Sequence, residues 1–197
     1  MYGAGMGVYL VDVDAQEWFG EDTGEGGMGA IAKGLDAELA RRGLPPYASV
    51  PERDFGAAFE EKLSPSMYGF DALCRSQLTS AERAFLGDWS VLVPFSLDEE
   101  IRLPIGSAYT DETVIVGAPQ VLALAERLAA ALELPVEIPE VTGNLALTFW
   151  FLEGEAEEFA ARRPGRWGED LDTAFYVSLY LRAAQHAIRR GCPLTFS

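Results

Sequence analysis

The sequence predicts an α+β fold, and three observations carry that expectation. Short segments rich in β-branched and aromatic residues lie near residues 7–13, 89–95, 101–105, 113–117 and 194–196. Between them run stretches whose apolar residues recur at helical spacing, the longest near 171–190. Length and composition complete the case. A chain of 197 residues, 49% hydrophobic and 23% charged, has the balance of an ordinary globular domain and enough length to build a core without disulfide or metal staples. One domain, 1–197, with a small mixed or antiparallel sheet packed by several helices, is therefore expected.

Taken in order, Gly7–Val13 alternates as a strand, with Tyr9, Val11 and Val13 on one face and Val8, Leu10 and Asp12 on the other. Residues 18–29 are glycine-rich and acidic and are expected as a loop. Ala30–Arg42 carries the stripe Ile31, Leu35, Leu39, with Gly43 as its C-terminal stop. Arg53–Leu63 and Met67–Gln77 are expected as short helices, the second with Phe70, Leu73 and Cys74 inward. Thr79-Ser-Ala-Glu82 has the form of a capping box and starts another helix.

The next three β-rich segments, 89–95, 101–105 and 113–117, are expected as neighbouring antiparallel strands. Pro119 suits the first turn of an apolar helix running to Leu132. Val136–Ile138 is expected as a short strand. Leu145–Leu152 fits either a buried strand or a buried helix. Its apolar spacing continues through Phe159 and Ala160, which favours helix. Leu171–Arg190 is the clearest helix, its core face running from Leu171 to Ile188 and its end marked by Arg189, Arg190 and Gly191.

The charge is distinctive. Fifteen Lys and Arg face 31 Asp and Glu, a formal net of −16. Up to residue 98 there are 7 basic and 16 acidic residues, and beyond it 8 and 15, so the excess is spread along the chain. Nucleic-acid binding needs a basic face to release counterions, and anionic membranes need the same sign. Both are excluded as expected partners. No apolar run approaches the roughly 20 residues of a membrane span. The first residues lack the basic n-region of a secretory leader. Cys74 and Cys192 form no metal or redox spacing, which favours reduced thiols in a cytoplasm. Thirteen of the 15 basic residues are Arg, in keeping with a GC-rich bacterial coding bias.

Catalytic and cofactor motifs are weak throughout. Asp12-x-Asp14 at a strand end can in principle share one Mg²⁺. The pair resembles that of the haloacid-dehalogenase phosphotransferases, but Ala15-Gln16-Glu17 follows where those enzymes carry Gly-Thr, and both lysines lie before residue 63. An EF-hand fails because Glu17 and Thr23 stand where the turn Gly and the bidentate Glu belong. Nucleophilic catalysis would have to use His186, the only histidine, which is expected to lie partly exposed on the last helix with Cys192 past its end. No nucleophile elbow is present. Gly24–Gly29 lacks the Lys and Ser/Thr of a phosphate loop. No cofactor and no metal are expected.

The functional expectation is a non-enzymatic protein-binding domain that meets a basic partner, in the manner of an immunity or antitoxin-like protein. Trp18 and Phe19, beside Glu21 and Asp22, are candidate anchors. The basic island Arg162, Arg163, Arg166 with Trp167 is a second candidate contact. The alternative is a small-molecule binder or enzyme with an aromatic pocket drawn from Tyr109, Trp150, Trp167, Tyr176 and Tyr180.

Overall fold

The computed structural model describes residues 7–21, 27–107, 109–140 and 144–197. These form six strands and eight α-helices. In chain order they are β1 (Val8–Asp12), α1 (Ala15–Trp18), α2 (Met28–Arg41), β2 (Glu60–Leu63), α3 (Tyr68–Gln77), α4 (Ser80–Gly87), β3 (Val91–Val93), β4 (Ile101–Leu103), β5 (Thr113–Gly117), α5 (Ala118–Leu132), α6 (Ala146–Leu152), α7 (Glu155–Arg162), α8 (Leu171–Arg190) and β6 (Leu194–Phe196). The α+β class is as the sequence predicts, with the sheet mixed.

The sheet order is β2-β1-β6-β3-β5-β4. The last strand lies near the middle, antiparallel to both β1 and β3. β3 and β5 are parallel, which corrects the all-antiparallel expectation. The cause is topological. β4 and β5 form an antiparallel pair, and β5 takes the inner place beside β3 while β4 becomes the edge.

Two-residue alternation divides the core between the two faces of this sheet. Leu10, Leu92, Val116 and Leu194 pack with the helices α3, α5, α6 and α8. Val91, Val93, Ile101, Leu103 and Ile115 pack with Trp18 of α1 and Ile31, Leu35 and Leu39 of α2. α5 lies along α8. α8 is buried on most of its circumference, from Thr173 to Ala187. Each large apolar side chain fully buried in this way stabilises the fold by about 1.5–3 kcal/mol. Ile188, expected inward, is 40% exposed.

Other differences have local causes. Arg53–Leu63 is not a helix: β2 pairs with β1 through Val8↔Leu63 to Val11↔Glu60, and sheet pairing overrides the propensity of a Glu- and Lys-rich segment. Val136–Ile138 forms a turn. The pattern from 145 to 160 is helical but broken, because Gly154 takes φ +97 between α6 and α7. The segment 18–29 is in part helical, since α1 ends at Trp18 and α2 starts at Met28, with residues 22–26 outside those described. No helix among the described residues is long and apolar enough to cross a membrane.

Candidate functional site

The C-terminal end of β1 and the C-terminal end of α8 meet at one place. Asp12 shares a strand face with Leu10, and that face looks onto α8. His186 projects from the last turns of α8. Gly191 then takes φ 69 as a left-handed cap and turns the chain back. The return is fixed by a hydrogen bond from Val13 N–H to the Pro193 carbonyl at 2.8 Å and by the pairing of Asp12 with Leu194. Cys192 is thereby held beside His186 and Asp12.

The three side chains form a compact group. His186 Nε2 lies 2.9 Å from Asp12 Oδ2, and since a carboxylate only accepts, Nε2–H donates. The same oxygen accepts from the Phe59 backbone N–H at 3.1 Å. The Phe59 ring packs 5.3 Å from the imidazole. One ligand atom each from Asp12, His186 and Cys192 lies within 4.8 Å of the others. His186 is 2% exposed, and its Nδ1 has no hydrogen-bond partner among the described residues. This corrects the expectation of a partly exposed histidine. Burial, seconded by the Asp12 carboxylate, pushes the Cys192 thiol up to about 12, so the sulfur stays protonated at neutral pH.

Asp14 has a different duty. It caps α1, accepting from Glu17 N–H at 2.9 Å while Glu17 reaches back to Asp14 N–H at 3.2 Å. Arg53 bridges both carboxylates, at 2.6 Å to Asp14 and 2.9 Å to Glu17. Partial burial pulls Asp14 upward, but the Glu17 N–H and the Arg53 guanidinium outweigh it and hold its carboxyl below the usual range. The two aspartates of Asp12-x-Asp14 thus serve separate hydrogen-bond partners.

Asp12 and Cys192 open onto a cleft of about 390 Å³. Six carboxylates line it, from Asp12, Asp14, Glu17, Glu52, Asp54 and Glu60, against the guanidinium groups of Arg53 and Arg190. Both arginines are engaged by cleft acids, Arg190 reaching Asp54 at 3.5 Å. Phe55, also lining the cleft, is 84% exposed and lies 5.8 Å from the Arg53 guanidinium.

The sequence-predicted contact residues are dispersed. Trp18 is buried, its ring edge-on to Tyr47 at 5.7 Å, so it is a core residue and not an exposed anchor. Phe19 is half exposed and Glu21 is exposed beside it. Asp22 lies outside the described residues. Arg162, Arg163 and Arg166 are exposed, and Arg163 pairs with Glu137. Trp167 is buried, stacked with Trp150 at 6.4 Å, and so it too is core. Of the first group, Trp18 ends α1, which packs on α2, and Phe19 and Glu21 follow it. The second group sits at the end of α7 and on the 3-10 turn Arg166–Glu169, which packs on both α7 and α8. The aromatic set also separates. Trp150 and Trp167 pack with Phe159, Tyr176 and Tyr180 pack with Phe70, and Tyr109 is exposed.

The sequence sets Cys192 just past the end of the His186 helix, but it carries no signal that joins position 12 to either. Comparisons with protein-family models, curated proteins and solved structures found no match to this chain.

Proposed function

We propose that this chain is a non-enzymatic protein-binding domain whose acidic cleft receives a basic segment of a partner protein. The observation that carries the proposal is the lining of the cleft: six carboxylates against two arginines, both already engaged by those acids. The spread net charge of −16 supplies long-range attraction toward such a partner. Phe55 at the cleft, and Phe19 beyond α1, offer exposed rings for cation–π and apolar contact with arginine and lysine stems. A buried, protonated Cys192 is a poor nucleophile, which favours binding over thiol catalysis. The partnership fits the pattern in which an immunity protein or antitoxin covers a basic surface.

A fluorescent Arg/Lys-rich peptide titrated into the full chain tests this. Binding is expected, weakening as salt rises, and strongly reduced by Glu52→Lys with Glu60→Lys. Reversal of the exposed acids Glu155 and Glu157 on α7 serves as the control and is expected to leave most of the binding. Equal losses from the two double variants would show that only net charge is sensed, and the cleft proposal would be abandoned.

A further inference from the structure

Only three His and Cys residues exist in the chain, so sequence spacing predicts no metal centre. The fold nonetheless brings one carboxylate, one imidazole and one thiol together from β1, α8 and the turn after it. Each supplies a ligand atom within 4.8 Å of the other two. A tetrahedral zinc ion, with bonds of about 2.0–2.3 Å, holds its ligand atoms roughly 3.3–3.7 Å apart. Small side-chain movements therefore suffice to close the set around an ion. We propose that Asp12, His186 and Cys192 bind one divalent transition-metal ion of the zinc type, with its fourth position open to the acidic cleft.

Four features support the assignment. The donor set of sulfur, nitrogen and oxygen suits Zn²⁺ or Co²⁺ and disfavours the all-oxygen ions Mg²⁺ and Ca²⁺. His186 is 2% exposed, and its Nδ1 finds no hydrogen-bond partner among the described residues, which leaves a ring nitrogen for a ligand. Asp12 and Cys192 both line the cleft, which gives an ion a path from solvent. The other carboxylates around that cleft raise the local concentration of divalent cations. Three protein ligands with an open fourth position is the arrangement of a zinc ion that takes water or an added ligand.

Binding forms one bond each to sulfur, nitrogen and oxygen. The thiol proton leaves to solvent, and the imidazole stays neutral, carrying its proton on the nitrogen that does not bind. The site is independent of the peptide-binding proposal, because it is read with the metal alone.

Titration of the full chain with Co²⁺ tests it. One equivalent is expected to produce a thiolate-to-cobalt charge-transfer band in the near ultraviolet, and Zn²⁺ is expected to bleach it. Cys74→Ala should keep the band, folded Cys192→Ala should lose it, and Asp12→Asn should weaken Co²⁺ binding more than about tenfold. No band in the wild-type chain overturns the proposal, as does a band that survives in folded Cys192→Ala or vanishes in folded Cys74→Ala. Should Cys192→Ala fail to fold, alkylation of the wild-type chain in mild urea decides, with mass mapping of the two thiols. Zn²⁺ must then slow labelling of Cys192 and leave Cys74 unchanged, and equal effects on both overturn the assignment.

Discussion

Thr148 donates both its backbone N–H and its hydroxyl to one oxygen of Glu61, at 2.7 and 2.6 Å, across 87 positions of sequence. The other oxygen accepts from the Leu147 N–H at 2.9 Å. α6 has no side-chain cap of its own, since Leu145 precedes it in a left-handed conformation. A fully buried carboxylate on β2 does that work instead, at the positive end of the helix. Glu61→Gln presents an amide N–H₂ where acceptors are needed, and is expected to cost about 1–3 kcal/mol at neutral pH. Thr148→Val removes a hydroxyl that donates to Glu61 and also accepts from the Lys62 N–H at 3.0 Å, and should cost about 1–3 kcal/mol. Urea melts measure both. Burial pushes the Glu61 carboxyl above its ordinary value, although Thr148 and Leu147 pull it back. The native state therefore holds this proton to higher pH than the unfolded chain does. Stability contributed by Glu61 is full below the unfolded carboxylate value and is lost as pH rises through the folded one. The gap between wild type and Glu61→Gln should narrow from acid toward neutral pH, and a widening gap would contradict this.

Both thiols are expected to be inert in the native state. Burial pushes Cys74 up to about 11 and Cys192 to about 12, with Asp71 and Asp12 adding to the effect. At pH 8 a thiol with a value near 12 is thiolate in about one molecule in ten thousand. A disulfide reagent in native buffer should therefore report no fast thiol, and two in denaturant. One fast thiol mapped to Cys192 would revive a nucleophilic role beside His186.

Gly29, in the first turn of α2, lies where any side chain would strike α1's exit. A Cβ built there falls 1.9 Å from the Gly20 carbonyl oxygen, which is backbone and cannot swing aside. Gly29→Ala should separate the two segments, loosen Trp18 in its pocket and cost about 1–3 kcal/mol, despite the better helix propensity of alanine. Trp fluorescence during urea unfolding reads both effects. Gly87→Ala, with open space around its Cβ, is the matched control and should be neutral or stabilising.

Legibility in the sequence followed the range of the interactions. The helix Leu171–Arg190 and the Thr79–Glu82 capping box rest on spacings of three to seven residues, and both stand as expected. β2 was illegible because Glu60-Glu-Lys-Leu63 has no strand pattern and is held by its pairing with β1, some 50 positions away. The burial of Trp18 and Trp167 was hidden for a related reason. A polar or glycine-rich neighbourhood marks a loop, but the ring's destination depends on Tyr47 in one case and Trp150 in the other. The grouping of Asp12 with His186 spans 174 positions and has no local signature at all.

Arg53 separates stability from binding within the cleft. It neutralises Asp14 and Glu17 and stands 47% exposed, so its ion pairs are screened by solvent. The capping box of α1 does not need it, because Asp14 and Glu17 satisfy each other's backbone N–H groups. Arg53→Ala should therefore cost less than about 1 kcal/mol of stability. It also leaves the cleft one unit more negative and lets the Asp14 carboxyl rise toward its ordinary value. A basic peptide should bind this variant more tightly than wild type, by about two- to threefold at low ionic strength, with the gain fading as salt shortens the screening length. Anisotropy titrations at two salt concentrations measure it. Weaker binding would mean that Arg53 contacts the partner directly, through its guanidinium or its stacking near Phe55, and that charge alone does not govern recognition.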